Sequence, residues 1–262
     1  MAQLAVVTGA SSGIGAAYAE RLAADGWEVV AVARRRDRLE ELAARLSSAH
    51  GATVRVVEAD LSRREDLVHL CDELARLPVH MLVNNAGLAH YMPFGDLPTG
   101  TIDELVDLDL LAPLQLTRAV LPGMQTRGGG AIINIASLLA FSGAWEAPFL
   151  PARAVYSAAK ASLVTFSQIL SAELRDQGVR VQVCCPGIVR TEFHTRQGMD
   201  MSGAPRMEPD AVVEASLHDL DHGVVVSIPG IADPARFAAV VAAMGALMGG
   251  TRAAELPARY RD

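Results

Sequence analysis

Short apolar runs at 4–8, 27–33, 53–59, 79–84, 131–136, 180–185 and 223–228 recur along the whole chain, with stretches of helical period between them. Val, Ile, Leu and Ala fill these runs with little polar alternation, so both faces of each strand must be covered. Patterns such as 16–25, 39–47 and 66–77 supply helices to cover them. This alternation predicts an α/β fold, a mostly parallel, doubly wound sheet with helices on both faces. No composition shift or linker divides the 262 residues, which predicts one domain over 1–262.

The first run feeds directly into Thr8-Gly9-Ala10-Ser11-Ser12-Gly13-Ile14-Gly15 and then an Ala-rich helix. Glycines at a strand-to-helix turn let backbone N–H groups approach a pyrophosphate at the helix N-terminus. After the second run comes Arg34-Arg35-Arg36, where a dinucleotide fold would place an acid for a ribose 2′-hydroxyl or an Arg for a 2′-phosphate. Cations are disfavoured at a helix start, so their presence there points to a phosphate, with Arg34 as the first ligand and Arg35 as the second. Asp60-Leu61 follows the third run, and Asn84-Asn85-Ala86-Gly87 the fourth. The fifth ends in Ser137, and Pro186-Gly187-Ile188-Val189-Arg190-Thr191 follows the sixth. Strand C-terminal ends are where such sheets bind ligands.

Tyr156 and Lys160 stand four positions apart, so a helix would present them as neighbours. A free tyrosine titrates near 10 and needs help to shuttle protons at neutrality, which an adjacent ammonium provides by favouring the phenolate. Of the 23 basic residues 22 are arginine, and the single lysine is Lys160, which keeps the compact ammonium where its chemistry matters.

The net charge of −7 argues against nucleic acid as a partner. No apolar run approaches the length of a membrane span, and the chain opens on Met1 and a strand run rather than a cleavable signal. Cys71, Cys184 and Cys185 read as reduced buried thiols rather than a redox pair, and a cytoplasmic location is expected. No metal is expected.

In the order TGASSGIG, DL, NNAG, strand-end Ser, YxxxK and PG-x-V-x-T, these motifs resemble the short-chain dehydrogenase/reductase family, in its compact single-domain branch. The resemblance covers about Leu4 to Thr191. It implies a Rossmann-type seven-stranded sheet of order 3-2-1-4-5-6-7 and hydride transfer between NADP(H) and a carbonyl/alcohol pair. Tyr156 would be the general acid or base, and Ser137 would hydrogen-bond the substrate oxygen. Lys160 would bond the nicotinamide ribose and depress the Tyr156 pKa. Gly9, Ser11, Ser12, Gly13, Ile14 and Gly15 would cradle the phosphates. Asp60, Asn85 and Gly87 would flank the adenosine, Val189 and Thr191 would hold the nicotinamide carboxamide, and Leu61, Ala86, Pro186 and Gly187 would join the cofactor site.

This sequence departs from the family pattern in two places. Asp109 stands where the family commonly has an Asn whose main-chain carbonyl holds a relay water. A buried carboxylate there needs a partner or a raised pKa, which predicts slower or pH-shifted turnover. The interval from Ser137 to Tyr156 is wider than usual, and the additional residues lie at 141–151, either a stiff apolar loop at the pocket mouth or an ordinary surface loop. A lid is expected at about 192–222, its methionines suited to a bulky apolar ketone or aldehyde. The family pairs subunits through the helix carrying Tyr156 and the one near 102–124, so a homodimer or homotetramer is implied. The alternative to an enzyme is a catalytically weak relative that binds NADP(H) as a sensor or scaffold. A sugar-nucleotide epimerase would need a substrate domain for which the chain has no room.

Overall fold

A computed structural model describes residues 2–145, 148–250 and 260. It contains β1 (Leu4–Thr8), α1 (Gly13–Ala24), β2 (Glu28–Ala33), α2 (Arg36–His50), β3 (Val54–Glu58), α3 (Arg64–Leu74) and β4 (Val79–Asn84). Next come α4 (Thr99–Val106), a π-helical turn (Asp107–Leu111), α5 (Ala112–Thr126), β5 (Gly130–Ile135) and α6 (Ala154–Glu173). β6 (Val179–Cys184), α7 (Glu192–Arg196), α8 (Pro209–Asp221), β7 (Val226–Ser227) and α9 (Ala235–Gly250) complete the order.

The strands form one parallel sheet of order β3-β2-β1-β4-β5-β6-β7. Side chains alternate across a strand, and here both sets are apolar. Ala5, Val7, Val29, Ala31 and Ile133 face α1, α2 and α8, burying Tyr18, Leu22, Leu42 and Val213. Val6, Val30, Leu82 and Ile132 face the other way, against Leu70 of α3 and Leu116 and Val120 of α5. Burying each such Leu or Val contributes about 1.5–3 kcal/mol, which holds the helices against both faces. Because β1 connects to β2 on one side while β4 lies on its other side, a crevice opens at the carboxyl end of β1.

One expectation changes. The segment 192–222 is not one lid: α7 and the loop after it border a cleft, but α8 buries Val212, Val213 and Leu220 in the core, and its Ser216 hydroxyl donates to Gln182 of β6. The chain divides into two compact units, Met1–Pro229 and Gly230–Asp262. In the second unit α9, built largely of Ala, Val, Met and Gly, buries none of its side chains. Among the described residues no helix is long and apolar enough to cross a membrane.

Candidate active site

The carboxyl ends of β1, β2, β4, β5 and β6 open into a cleft of ≈ 1110 Å³ that lies wholly in the first unit. Gly9, Ser11, Ser12, Gly13, Ile14, Arg34, Arg35, Asp60 and Leu61 line one end and Ser137, Tyr156 and Lys160 the other. Asn85, Ala86, Gly87, Pro186, Gly187, Val189 and Thr191 line it too. Two sequence-derived residues do not. Gly15 packs inside the turn, where an added Cβ would stand 2.5 Å from the Gly9 carbonyl oxygen and 2.4 Å from Asn85 Nδ2. It therefore lets α1 approach β1 rather than touching a phosphate. Asp109 lies fully buried beneath Lys160.

The glycine turn is fastened to β4. Asn85 Nδ2 donates to the Thr8 carbonyl at 2.9 Å, while Thr8 Oγ1 accepts the N–H groups of Asn85 at 2.9 Å and Ala86 at 3.0 Å. Gly9 and Gly13 have φ of 66° and 58°, the left-handed region that glycine occupies without strain. Asp60 closes a turn after β3, its Oδ1 accepting Ser62 N–H at 3.1 Å. Thr191 caps α7, its Oγ1 accepting Phe193 N–H at 3.2 Å. A narrow cradle of glycines and hydroxyls at one end, with a hydroxyl–ammonium set at the other, fits an elongated dinucleotide.

The basic run divides. Arg34 is 55% exposed and lies 3.7 Å from Asp60 and 3.8 Å from Glu104. Arg35 turns over the glycine turn, donating to Ser11 Oγ at 2.8 Å and Ser12 Oγ at 2.9 Å, and meets Glu192 at 3.1 Å. Both arginines line the cleft, and Arg35 is the one bonded to the hydroxyls of the glycine turn.

Ser137, two residues after β5, has extended backbone and its Oγ accepts Leu139 N–H at 3.1 Å. α6 brings Tyr156 and Lys160 to the same place, both buried. Lys160 Nζ lies 5.8 Å from the centre of the Tyr156 ring, donates to the Ile135 carbonyl at 3.1 Å, and is 3.4 Å from Asp109 Oδ1. Asp109 Oδ1 also accepts Leu88 N–H at 3.1 Å, whereas its Oδ2 is buried with no hydrogen-bond partner. Burial raises the Asp109 pKa, with Lys160 and the Leu88 N–H opposing it.

The expected depression of the Tyr156 pKa by Lys160 is opposed in this structure by burial and by neighbouring groups. Burial, then Tyr91 and Asp109, push it well above the usual tyrosine value, and only a hydrogen bond with Ser137 pulls it down.

Sequence reasoning gives Tyr156 no aromatic neighbours, yet the ring of Tyr91 meets it edge-on at 5.7 Å and Phe193 lies 6.1 Å from it. The π-helical turn around Asp109 is also unforeseen, although its signal is present. The N–H that an α-helix would aim at the Asp109 carbonyl belongs to position 113, which is Pro. Residues 146 and 147 of the 141–151 loop, like Met1, lie outside the described residues. Around them the loop is organised by Arg153, which donates to Ser142 Oγ at 2.8 Å and to the carbonyls of Ser142, Trp145 and Pro151 at 3.0, 3.3 and 3.0 Å. Phe141, Trp145, Phe149 and Leu150 line the cleft, which makes this loop part of its wall. Cys184 and Cys185 pack in different core clusters, and burial pushes the Cys184 thiol up to about 12.

A doubly wound parallel sheet with a glycine turn and a Ser–Tyr–Lys set at its switch point defines a Rossmann-type oxidoreductase. The chain belongs to the short-chain dehydrogenase/reductase family: the model described as short chain dehydrogenase matches residues 3–201. A short-chain dehydrogenase from Sphingobium yanoikuyae, solved in complex with NADPH, is 37% identical with a TM-score of 0.93, covering 98% of this chain and 99% of that one. The bulky-bulky ketone specific alcohol dehydrogenase from Comamonas testosteroni is 33% identical with a TM-score of 0.88, covering 98% of each chain. A very-long-chain 3-oxoacyl-CoA reductase of Anas platyrhynchos is 37% identical over 194 residues, 72% of this chain. The chain spans 60% of that relative's length.

Proposed function

We propose that this oxidoreductase uses NADP(H) to interconvert a ketone and a secondary alcohol flanked by bulky apolar groups. The observation that carries the reading is the single cleft that joins the glycine turn and Arg35 to Ser137, Tyr156 and Lys160. NADP(H), when bound, supplies or accepts the hydride. Ser11, Ser12, Gly13 and Ile14 would hold its phosphates, Arg35 its 2′-phosphate, and Val189 and Thr191 the carboxamide end. Ser137 donates a hydrogen bond to the substrate oxygen, and Tyr156 gives up its phenolic proton as that oxygen gains charge. The raised Tyr156 pKa keeps the phenol protonated at neutral pH, the form that ketone reduction requires. Lys160, anchored by Ile135 and Asp109, would bond the nicotinamide ribose.

The catalytic end of the cleft is walled by Leu139, Phe141, Phe149, Leu150, Phe193 and Met201, a surface for apolar groups on both sides of a carbonyl. The Comamonas neighbour, described as specific for bulky-bulky ketones, supports that substrate class. The test is NADPH consumption across a series of aryl and long-chain ketones, with small ketones and NADH alongside. Turnover confined to small ketones would reject the substrate class, and preference for NADH would reject the cofactor.

A further inference from the structure

Glu192, the first residue of α7, gathers three guanidiniums. Arg35 of the β2–α2 turn lies 3.1 Å from its Oε2, and Arg38 and Arg196 also pair with it. Although burial works the other way, the hydrogen bonds from Arg38, Arg196 and Arg35 hold the Glu192 carboxyl down at about 2, so it is ionised wherever the protein is folded. Three guanidiniums against one carboxylate leave two positive charges over, the complement of a phosphate monoester dianion. Arg35 and Arg196 face into the cleft, whereas Glu192 stands behind them, so the anion-seeking side is the side open to a ligand. The hydroxyls of Ser11 and Ser12, already bonded to Arg35, add neutral donors to the same corner.

We propose, building on the NADP(H) reading, that Arg196 is a third-element ligand for the cofactor's 2′-phosphate, held in place by Glu192, and that filling this receptor fastens α7 across the cleft. Arg35 is fixed to the body by the glycine turn, but Arg196 rides on α7. A phosphate bridging the two ties α7 to the body. The same helical turn carries Phe193, which packs against Tyr156 at 6.1 Å. Occupancy of the 2′-phosphate corner is thereby transmitted to the catalytic end through five residues of helix. Glu192 acts through the arginines as a positioning residue. It keeps three like charges together before the phosphate arrives, a preorganisation that binding would otherwise have to supply.

A pyrophosphate shares the chemistry of a 2′-phosphate, so the test separates them. NADPH, NADH, 2′,5′-ADP and 5′-ADP are titrated calorimetrically into the wild type, Arg196→Gln and Arg196→Lys, with hydrogen exchange followed over residues 192–201. Loss of one charge-assisted contact should weaken NADPH and 2′,5′-ADP about 10-fold in Arg196→Gln and leave NADH and 5′-ADP within about 2-fold. Arg196→Lys should recover part of the loss, and 2′,5′-ADP should slow exchange over 192–201 in the wild type but not in Arg196→Gln. Equal weakening of all four ligands would assign Arg196 to the pyrophosphate and overturn the proposal. So would unchanged NADPH affinity in Arg196→Gln. Failure of the wild type to bind NADPH or 2′,5′-ADP at all would instead reject the cofactor reading beneath it.

Discussion

Asp109 Oδ1 lies 3.4 Å from Lys160 Nζ, both groups buried, so the one lysine of this chain spends part of its field on a carboxylate. A neutral side chain at position 109 would leave the ammonium to act on Tyr156 alone. Asp109 and Tyr91 instead reinforce burial in raising the phenol. Asp109→Asn should therefore lower the Tyr156 pKa. In pH–rate profiles the falling limb of ketone reduction, where Tyr156 must be protonated, and the rising limb of alcohol oxidation, where it must not, should both move to lower pH. Limbs that stay in place would show that the carboxylate does not govern the proton donor.

The same pair has a stability signature. Burial raises the Asp109 pKa above its unfolded value, so the folded state holds the proton more tightly. Its favourable contribution is complete below the ordinary Asp pKa of about 3.9 and is lost as pH rises through the elevated folded value. Asp109→Asn lacks this loss. The Tm of the variant relative to wild type should rise between acidic and neutral pH, and a constant difference would mean that Asp109 does not titrate in that interval.

Tyr156 and Ser137 are predicted to act on the same substrate oxygen in different ways, one by proton transfer and one by hydrogen bonding. Tyr156→Phe keeps the ring contacts to Tyr91 and Phe193 but removes the proton, and should cut turnover by about 10²–10⁴-fold with cofactor affinity preserved. Ser137→Ala removes one donor to the developing oxyanion and should cost about 10²–10³-fold in kcat. Single-turnover rates with a bulky ketone, beside a fluorescence titration of NADPH, separate chemistry from binding. Equal losses in affinity and rate would assign these residues to binding instead.

Much of the fold is legible in the sequence. The apolar runs match β1 and β4 to their ends, and β5 and β6 each begin and end one residue before theirs, because buried parallel strands are valine- and isoleucine-rich runs whose edges composition marks. The last run, 223–228, pairs only at Val226 and Ser227, since an edge strand has one neighbour to define its length. What stays hidden depends on side chains distant in the chain. An i,i+4 spacing exposes Lys160 beside Tyr156, but not Asp109 set against the lysine from 51 positions away. Arg34 and Arg35 are alike as letters; only Ser11, Ser12 and Glu192, brought in by the fold, distinguish them. The helical pattern in 209–221 is hard to separate from a lid because Pro209 and Asp210 read as loop, whereas Pro is well placed in the first turn of α8.

Gly87 tests how tightly the Asp109–Lys160 pair is confined. A Cβ there would stand 2.7 Å from Asp109 Oδ1 and 3.2 Å from Lys160 Nζ. Gly87→Ala should force the pair apart at a cost of about 1–3 kcal/mol, typical of overpacking a filled site. Urea unfolding measures the loss, which should shrink in the Gly87→Ala/Asp109→Asn double variant if Asn, carrying no charge, relaxes at less cost. Strict additivity would place the strain elsewhere.

Arg153 should control substrate rather than chemistry. Its guanidinium bonds Ser142 Oγ and the carbonyls of Ser142, Trp145 and Pro151, which ties the two ends of the wall loop to the start of α6. Trp145 and Phe149 meet edge-on at 5.7 Å on that loop. Arg153→Gln leaves Ser137, Tyr156 and Lys160 in place but frees the carbonyls that hold the wall. Each hydrogen bond to those carbonyls is worth about 1 kcal/mol, so KM for a bulky ketone should rise roughly 5- to 10-fold. kcat and NADPH affinity should change little, because neither the proton path nor the glycine turn touches this side chain. A fall in kcat with KM unchanged would instead make the loop part of the catalytic geometry, acting through its junction with α6 three residues before Tyr156.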